Sequence, residues 1–371
     1  MSEVLDLLAD LVRVRTVASD EGALARRAAA LLDDAGFTVS LSEWEVGREQ
    51  LVARTGSSSA PLTLTGHLDT VPADAGQWAV DPWAAERDGD HVVGRGTSDM
   101  KSGVAAVLVA VAAHARASHD CRGVQVVLTA GEETGCTGAA TLPRDALAPG
   151  GPLVVAEPTA GRLVPGHKGA HWLRLTAAGR AAHGSAPELG DNAVVRLARA
   201  AVALHEHDRW PSHDTFGPVT ANVGLLRGGV QPNVVPDVAE MLLDLRTVPG
   251  VDTDALRQSV SQLAGEGVLV DDHVVLPVVH TDSDDPFVEL VREALGAAGQ
   301  DDEPQPPARY FTDASVLASL LAYGDVPVPT VVLGPGEPEQ CHVVDEWCSA
   351  SAVETSVEVY SALLDRWCAR A

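Results

Sequence analysis

Short apolar runs of strand length recur along this chain, and each one stops at a cluster of acids, histidine or glycine. Leu62 to Thr65 leads into Gly66-His67-Leu68-Asp69, and Val124 to Thr129 leads into Gly131-Glu132-Glu133. Leu153 to Ala156 is followed by Glu157-Pro158-Thr159, and Thr330 to Leu333 by Gly334-Pro335-Gly336. Helical patterns separate them: Val4, Leu7, Leu8 and Leu11 repeat at helical spacing, Ala23 to Leu32 is alanine-rich, and Ser102 to His114 is apolar. This alternation predicts an α/β sheet covered by helices. Ligands of open α/β sheets bind beyond the carboxyl ends of the strands, so the polar clusters point to one site there.

Between about Ala170 and Val279 the order changes. Strand (Trp172 to Ala177), helix (Asn192 to Asp208), strand (Val219 to Leu226), strand (Ala239 to Thr247), helix (Asp252 to Ala264) and strand (Val274 to Val279) read as an inserted α+β domain of ferredoxin-like βαββαβ order. The chain of 371 residues, 46% hydrophobic, is long enough for two cores. The expected division is residues 1–169 with 280–371, interrupted by 170–279. After the insertion Phe287 to Ala297 resumes a helical pattern, and Gln300 to Pro307 reads as a surface loop.

A two-metal hydrolase needs imidazole and carboxylate ligands, with one carboxylate shared between the ions. His67, Asp99, Glu133, Glu157 and His342 supply that set. Asp69 is placed to accept the ring N–H of His67 and fix its tautomer. Asp99 lies in Gly94 to Gly103, just before a helix, where an N-cap role competes with metal binding. The Lys101-Ser102 pair imitates a phosphate-binding loop, but Met100 stands where that motif requires glycine, which excludes nucleotide binding. Adjacent carboxylates at Glu132 and Glu133 raise each other's pKa unless a cation or proton relieves them. The alternative is a solvated acidic turn. No serine sits in a Gly-x-Ser-x-Gly elbow, and no cysteine carries a nucleophile's signature.

Taken in order, Gly66-His67-Leu68-Asp69-Thr70-Val71-Pro72, Gly94 to Gly103, Gly131-Glu132-Glu133-Thr134-Gly135, Ala156-Glu157-Pro158-Thr159 and Cys341-His342-Val343-Val344-Asp345-Glu346 resemble the motifs of one family. It is the dizinc aminoacylase, deacetylase and carboxypeptidase family, whose members include acetylornithine deacetylase, succinyl-diaminopimelate desuccinylase and glutamate carboxypeptidase. The resemblance runs through essentially the whole chain. It implies a zinc-exopeptidase-like catalytic domain and an inserted lid or dimerisation domain. It also implies two Zn2+ ions, for which Co2+ or Mn2+ can substitute, bridged by Asp99, with His67 and Glu157 on one and Glu133 and His342 on the other. Glu132 is then the general base in zinc-activated attack of water on an amide.

In the inserted segment, Ala182-His183-Gly184-Ser185-Ala186-Pro187 resembles the part whose histidine stabilises the oxyanion, often across a dimer. Asn233, in Gln231 to Pro236, and Arg246, in Asp244-Leu245-Arg246, resemble the segments that hold the substrate's carboxylate; arginine's planar fork suits that anion. Thr312, Asp313 and Gly334 lie in segments that resemble substrate-facing loops. The expected activity is release of an amino acid from an N-acyl amino acid. Carboxypeptidase or dipeptidase activity on a short peptide is the alternative within the family, and a non-catalytic metal-binding relative the alternative outside enzymes.

A formal net charge of −26 opposes nucleic acid and anionic lipid as partners. The acidic Met1-Ser2-Glu3-Val4-Leu5-Asp6 is unlike a signal peptide, and no run reads as a membrane span, so a cytoplasmic protein is the expectation; the family resemblance implies a homodimer through the inserted domain. Five scattered cysteines predict thiols rather than a disulfide framework.

Overall fold

A computed structural model of the chain describes residues 2–56, 60–117 and 122–369. In chain order the principal elements begin with helix α1 (Glu3–Val12), α2 (Glu21–Asp34), strands β1 (Thr38–Glu45), β2 (Arg48–Thr55) and β3 (Leu62–His67), then α3 (Ser102–Ala117), β4 (Val124–Thr129) and β5 (Leu153–Val155). There follow β6 (Gly169–Ala178), α4 (Ala193–His205), β7 (Thr220–Gly228), β8 (Val238–Thr247), α5 (Thr253–Ala264) and β9 (Val268–Leu276). The chain closes with α6 (Pro286–Ala297), α7 (Ala314–Leu320), β10 (Thr330–Val332) and α8 (Ala350–Ala369).

Two compact units result: Met1–Gly166 with Val279–Pro306 and Thr312–Ala371, and His167–Val278 with Pro307–Phe311. The first is built on a six-stranded sheet of order β1-β2-β4-β3-β5-β10. Strands β4, β3, β5 and β10 run parallel, which brings their carboxyl ends to one edge. β3 and β4 are buried along their whole length. Parallel strands covered on both faces must be apolar throughout, so these runs were visible in the sequence. Helices α1, α3, α6 and α8 pack together, and α2 lies on β1 and β2. Leu8, Leu11, Leu64, Leu108, Leu128, Val353 and Leu363 belong to the resulting core.

The second unit has the expected inserted βαββαβ order, with an antiparallel sheet β7-β8-β6-β9. Leu173 and Leu175 of β6 and Leu243 and Leu245 of β8 meet Leu197 of α4 and Val260 of α5 in a separate core. Asn192 and Asp252 cap the two helices, Asn192 accepting one backbone N–H bond from the first turn and Asp252 two. The last strand departs from expectation: it begins at Val268, and the acids Asp271 and Asp272 inside it interrupted the hydrophobic signal.

The cysteine expectation needs correction. Cys368 is disulfide-bonded, whereas Cys136, Cys341 and Cys348 are free thiols and Cys121 lies outside the described residues. An odd cysteine count forbids a complete set of pairs, not a single one. The segment Thr97–Ala117, which includes α3, is long and apolar enough to cross a membrane by length and composition alone, but 72% of its apolar window is buried inside the protein, as befits a core helix.

Candidate metal centre

The first unit gathers its histidines and acids at the carboxyl edge of the parallel strands. His67 ends β3, Glu132 and Glu133 follow β4, and Glu157 follows β5. Asp99 lies in the turn before α3, and His342 in the loop before α8 with a backbone φ of 63°. One oxygen of the Asp99 carboxylate is 2.9 Å from His67 Nε2, and the other is 3.2 Å from His342 Nε2. His67 Nε2 is also 3.7 Å from Glu157, and His342 Nε2 is 3.0 Å from Glu133. The donors therefore fall into two groups that share Asp99. Donor atoms of His67, Asp99 and Glu133 lie within 4.8 Å of one another, as do those of His67, Glu132 and Glu157.

The electrostatics fit a cation. Burial pushes the Glu132 and Glu157 carboxyls well above the ordinary carboxylate range; neighbouring acids add to the effect and His67 opposes it. Burial alone would lower His67, yet Glu157, Asp99 and Asp69 hold its imidazole well above its usual value. His342 is raised to about 10 by its hydrogen bonds with Asp99 and Glu133. Protons on the histidines are one answer to this excess of buried negative charge; metal ions bound by the same nitrogens and oxygens are another. Imidazole and carboxylate together form a donor set suited to zinc.

Asp69 works differently from the expected role. His67 Nδ1 is 2.9 Å from the backbone carbonyl of Asp69 and 3.6 Å from its carboxylate. That carboxylate instead accepts the backbone N–H groups of Glu132 and Glu133, at 3.2 and 3.1 Å. It fixes the turn that presents both acids. Glu346, quoted in a motif but given no role, has a similar function. Fully buried, it accepts backbone N–H bonds from Gly96, Ser98 and Asp99 and one from Arg95 Nη1, at 2.7 to 3.0 Å. The Asp99 turn is thereby tied to the His342 loop. Its spacing, four residues after His342, was the available signal.

Gly334 packs on the strand end that carries Glu157: a Cβ there would lie 2.2 Å from the Ala156 carbonyl oxygen and 2.5 Å from that of Glu157. Thr312 and Asp313 are buried, and the charge of Asp313 acts on Glu132 and Glu157. Asp313 accepts a hydrogen bond from Thr129, and burial raises its pKa to about 6. In the second unit His183 and Asn233 adjoin, because Gly184 donates its N–H to the Asn233 carbonyl and His183 bridges Val234. Arg246 sits on β8 and pairs with Asp244.

This fold and donor set define a metal-dependent hydrolase. Residues 63–366 match the family described as Peptidase family M20/M25/M40, and the chain belongs to that family. The acetylornithine deacetylase of Vibrio parahaemolyticus is 31% identical over 351 residues, which span 90% of this chain and 89% of that protein. The M20 metallo-carboxypeptidase Sso-CP2 of Sulfolobus solfataricus superposes with a TM-score of 0.79 at 18% identity over 99% of each chain. A dinuclear metal-binding M20 peptidase of Bacillus subtilis superposes at 0.70 with 14% identity, over 97% of this chain and 96% of its own. The protein is a metal-dependent amidohydrolase of this family.

Proposed function

We propose that the chain is a cytoplasmic homodimer that hydrolyses an N-acyl amino acid to a free amino acid and a carboxylic acid at a two-zinc centre. The observation that carries the two-metal reading is the division of the donors into His67 with Glu157 and His342 with Glu133, joined by Asp99. Zinc held by these residues would supply Lewis acidity, polarising the amide carbonyl and lowering the pKa of water so that hydroxide is available as the nucleophile. Glu132, set in place by Asp69, takes a proton from that water and returns it to the departing amine nitrogen. His183 suits the role of oxyanion donor. The backbone N–H of Ser185 donates to its Nδ1 at 3.2 Å, which leaves the ring proton on Nε2. Arg246 and Asn233 are assigned to the substrate's carboxylate. The deacetylase name of relatives at about 30% identity favours an acyl amino acid over a peptide.

The test is release of primary amine by zinc-loaded protein and its Glu132→Gln variant from N-acetylornithine, N-acetyllysine, N-succinyl-diaminopimelate and carboxy-terminal dipeptides. Glu132-dependent release from one acyl amino acid is the expected result. Release from dipeptides alone makes the protein a peptidase of the same family, and silence across the panel favours either a substrate outside it or a non-catalytic metal-binding role.

A further inference from the structure

The face of the inserted sheet opposite α4 and α5 carries a cluster whose parts interlock. Asp244 and Arg246 are two residues apart on β8 and so point to the same face. In register, Asp244 lies opposite Trp172 of β6, and Arg246 lies opposite Ala170. The Trp172 indole N–H donates to one oxygen of Asp244 at 3.0 Å. The other oxygen accepts from Arg246 Nε and Nη2, at 3.1 and 3.0 Å. Phe311 lies under the guanidinium, 4.8 Å from Cζ to the ring centroid, and meets the Trp172 ring edge-on at 5.9 Å.

Both oxygens of Asp244 are thus engaged and one side of the arginine fork is taken. The third guanidinium nitrogen, Nη1, is buried and has no hydrogen-bond partner among the described residues. A donor left in that condition is costly unless something accepts from it. On the side of β6, the register neighbour of Arg246 is alanine, whose side chain offers no acceptor of its own.

We propose that Asp244, itself held by the Trp172 indole, is the positioning residue that aims Nη1 of Arg246 at the substrate's carboxylate. Only the identity of that ligand rests on the function proposed above. Asp244 removes the rotational freedom of the guanidinium by gripping two of its nitrogens, and Phe311 fixes the plane. Charge alone predicts the opposite: an aspartate beside the arginine partly cancels its attraction for an anion. Geometry and charge therefore give opposite signs, and a measurement separates them.

Zinc-loaded Glu132→Gln protein, in which the ligand survives, is titrated calorimetrically with N-acetylornithine and with its carboxamide. If amine release singles out a dipeptide, that dipeptide and its carboxamide replace them. The carboxylate is expected to bind at least about tenfold tighter than the carboxamide. Adding Asp244→Asn, or separately Trp172→Phe, should bring that ratio toward one while carboxamide affinity stays as in the parent. Trp172→Phe keeps the aromatic packing on Phe311 and covers the case in which Asp244→Asn fails to fold, which melting temperature reports. A ratio unchanged or raised in both variants overturns the proposal, as does an equal loss for both ligands. A parent with no preference for the carboxylate also overturns it, whereas failure of the deacylase function is read separately, from amine release by the wild-type protein.

Discussion

Glu132 is surrounded by acids, and the chemistry assigned to it requires a carboxylate that takes up a proton and gives it back. Burial and the charges of Glu157, Asp313 and Glu133 raise its proton affinity, so it needs little further help to act as a base once cations offset its neighbours. Glu132→Gln preserves the shape of the turn and the Asp69 hydrogen bond to its backbone while removing the proton carrier. Zinc content by elemental analysis should stay at the wild-type value, and turnover should fall by about 10²-fold or more. Near-normal turnover in a fully loaded variant would reject the assignment. Glu346 makes a contrasting case, since the hydrogen bond it accepts from Asp99 comes from the backbone. Glu346→Gln exchanges one acceptor oxygen for an amide that cannot accept all four donors. Metal affinity, read by competition with a chromogenic chelator, should drop by roughly 10- to 100-fold, with turnover at saturating metal close to wild type. Unaltered affinity would confine Glu346 to a structural role.

At the scale of elements, what the sequence disclosed depended on how each segment is buried. β3, β4 and β5 are covered on both faces, so their apolar runs and the polar residues that end them were legible, and with them the ligands His67, Glu133 and Glu157. The β1–β2 hairpin escaped notice because β1 is largely exposed and mixes polar residues with apolar ones. β9 was misplaced for a related reason, its exposed acids masking the alternation. The contacts of Asp69 and Glu346 were beyond sequence reasoning, since both are bonds to backbone groups whose positions only the folded turns define. His167, two residues before β6, offers a pH test of one such buried position. Burial lowers its pKa from 6.5 to about 4, with Arg246 adding to the effect. A depressed folded value means that the unfolded chain binds more protons between those pH values, so stability is present above pH 6.5 and lost as pH falls through 4. At 1.36 kcal/mol per pKa unit the loss is roughly 3 kcal/mol. His167→Gln should flatten the acid limb of melting temperature against pH across that window, and parallel curves for the two proteins would rule the contribution out.

The whole molecule divides the work between two cores, and every candidate metal ligand belongs to the first unit. Metal binding and folding are linked there, because a ligand that binds only the native state stabilises it by RT ln(1 + [L]/Kd), about 2.7 kcal/mol at a hundredfold excess over Kd. The ligands come from widely separated parts of the chain, His67 and His342 among them, so their array does not exist in the unfolded state. Removing the metal with a chelator should therefore loosen the first unit selectively. Hydrogen exchange followed by mass spectrometry reads this directly. Amides of β3, β4 and the first turns of α3 should exchange faster after chelation, and those of β6 and β8, whose core of Leu173, Leu175, Leu243 and Leu245 holds no metal ligand, should keep their rates. Readdition of zinc should restore protection in the first unit. Equal acceleration in both units would mean that the inserted unit draws its stability from the metal centre as well, and no change in either would mean that the clustered acids and histidines are held together without a metal.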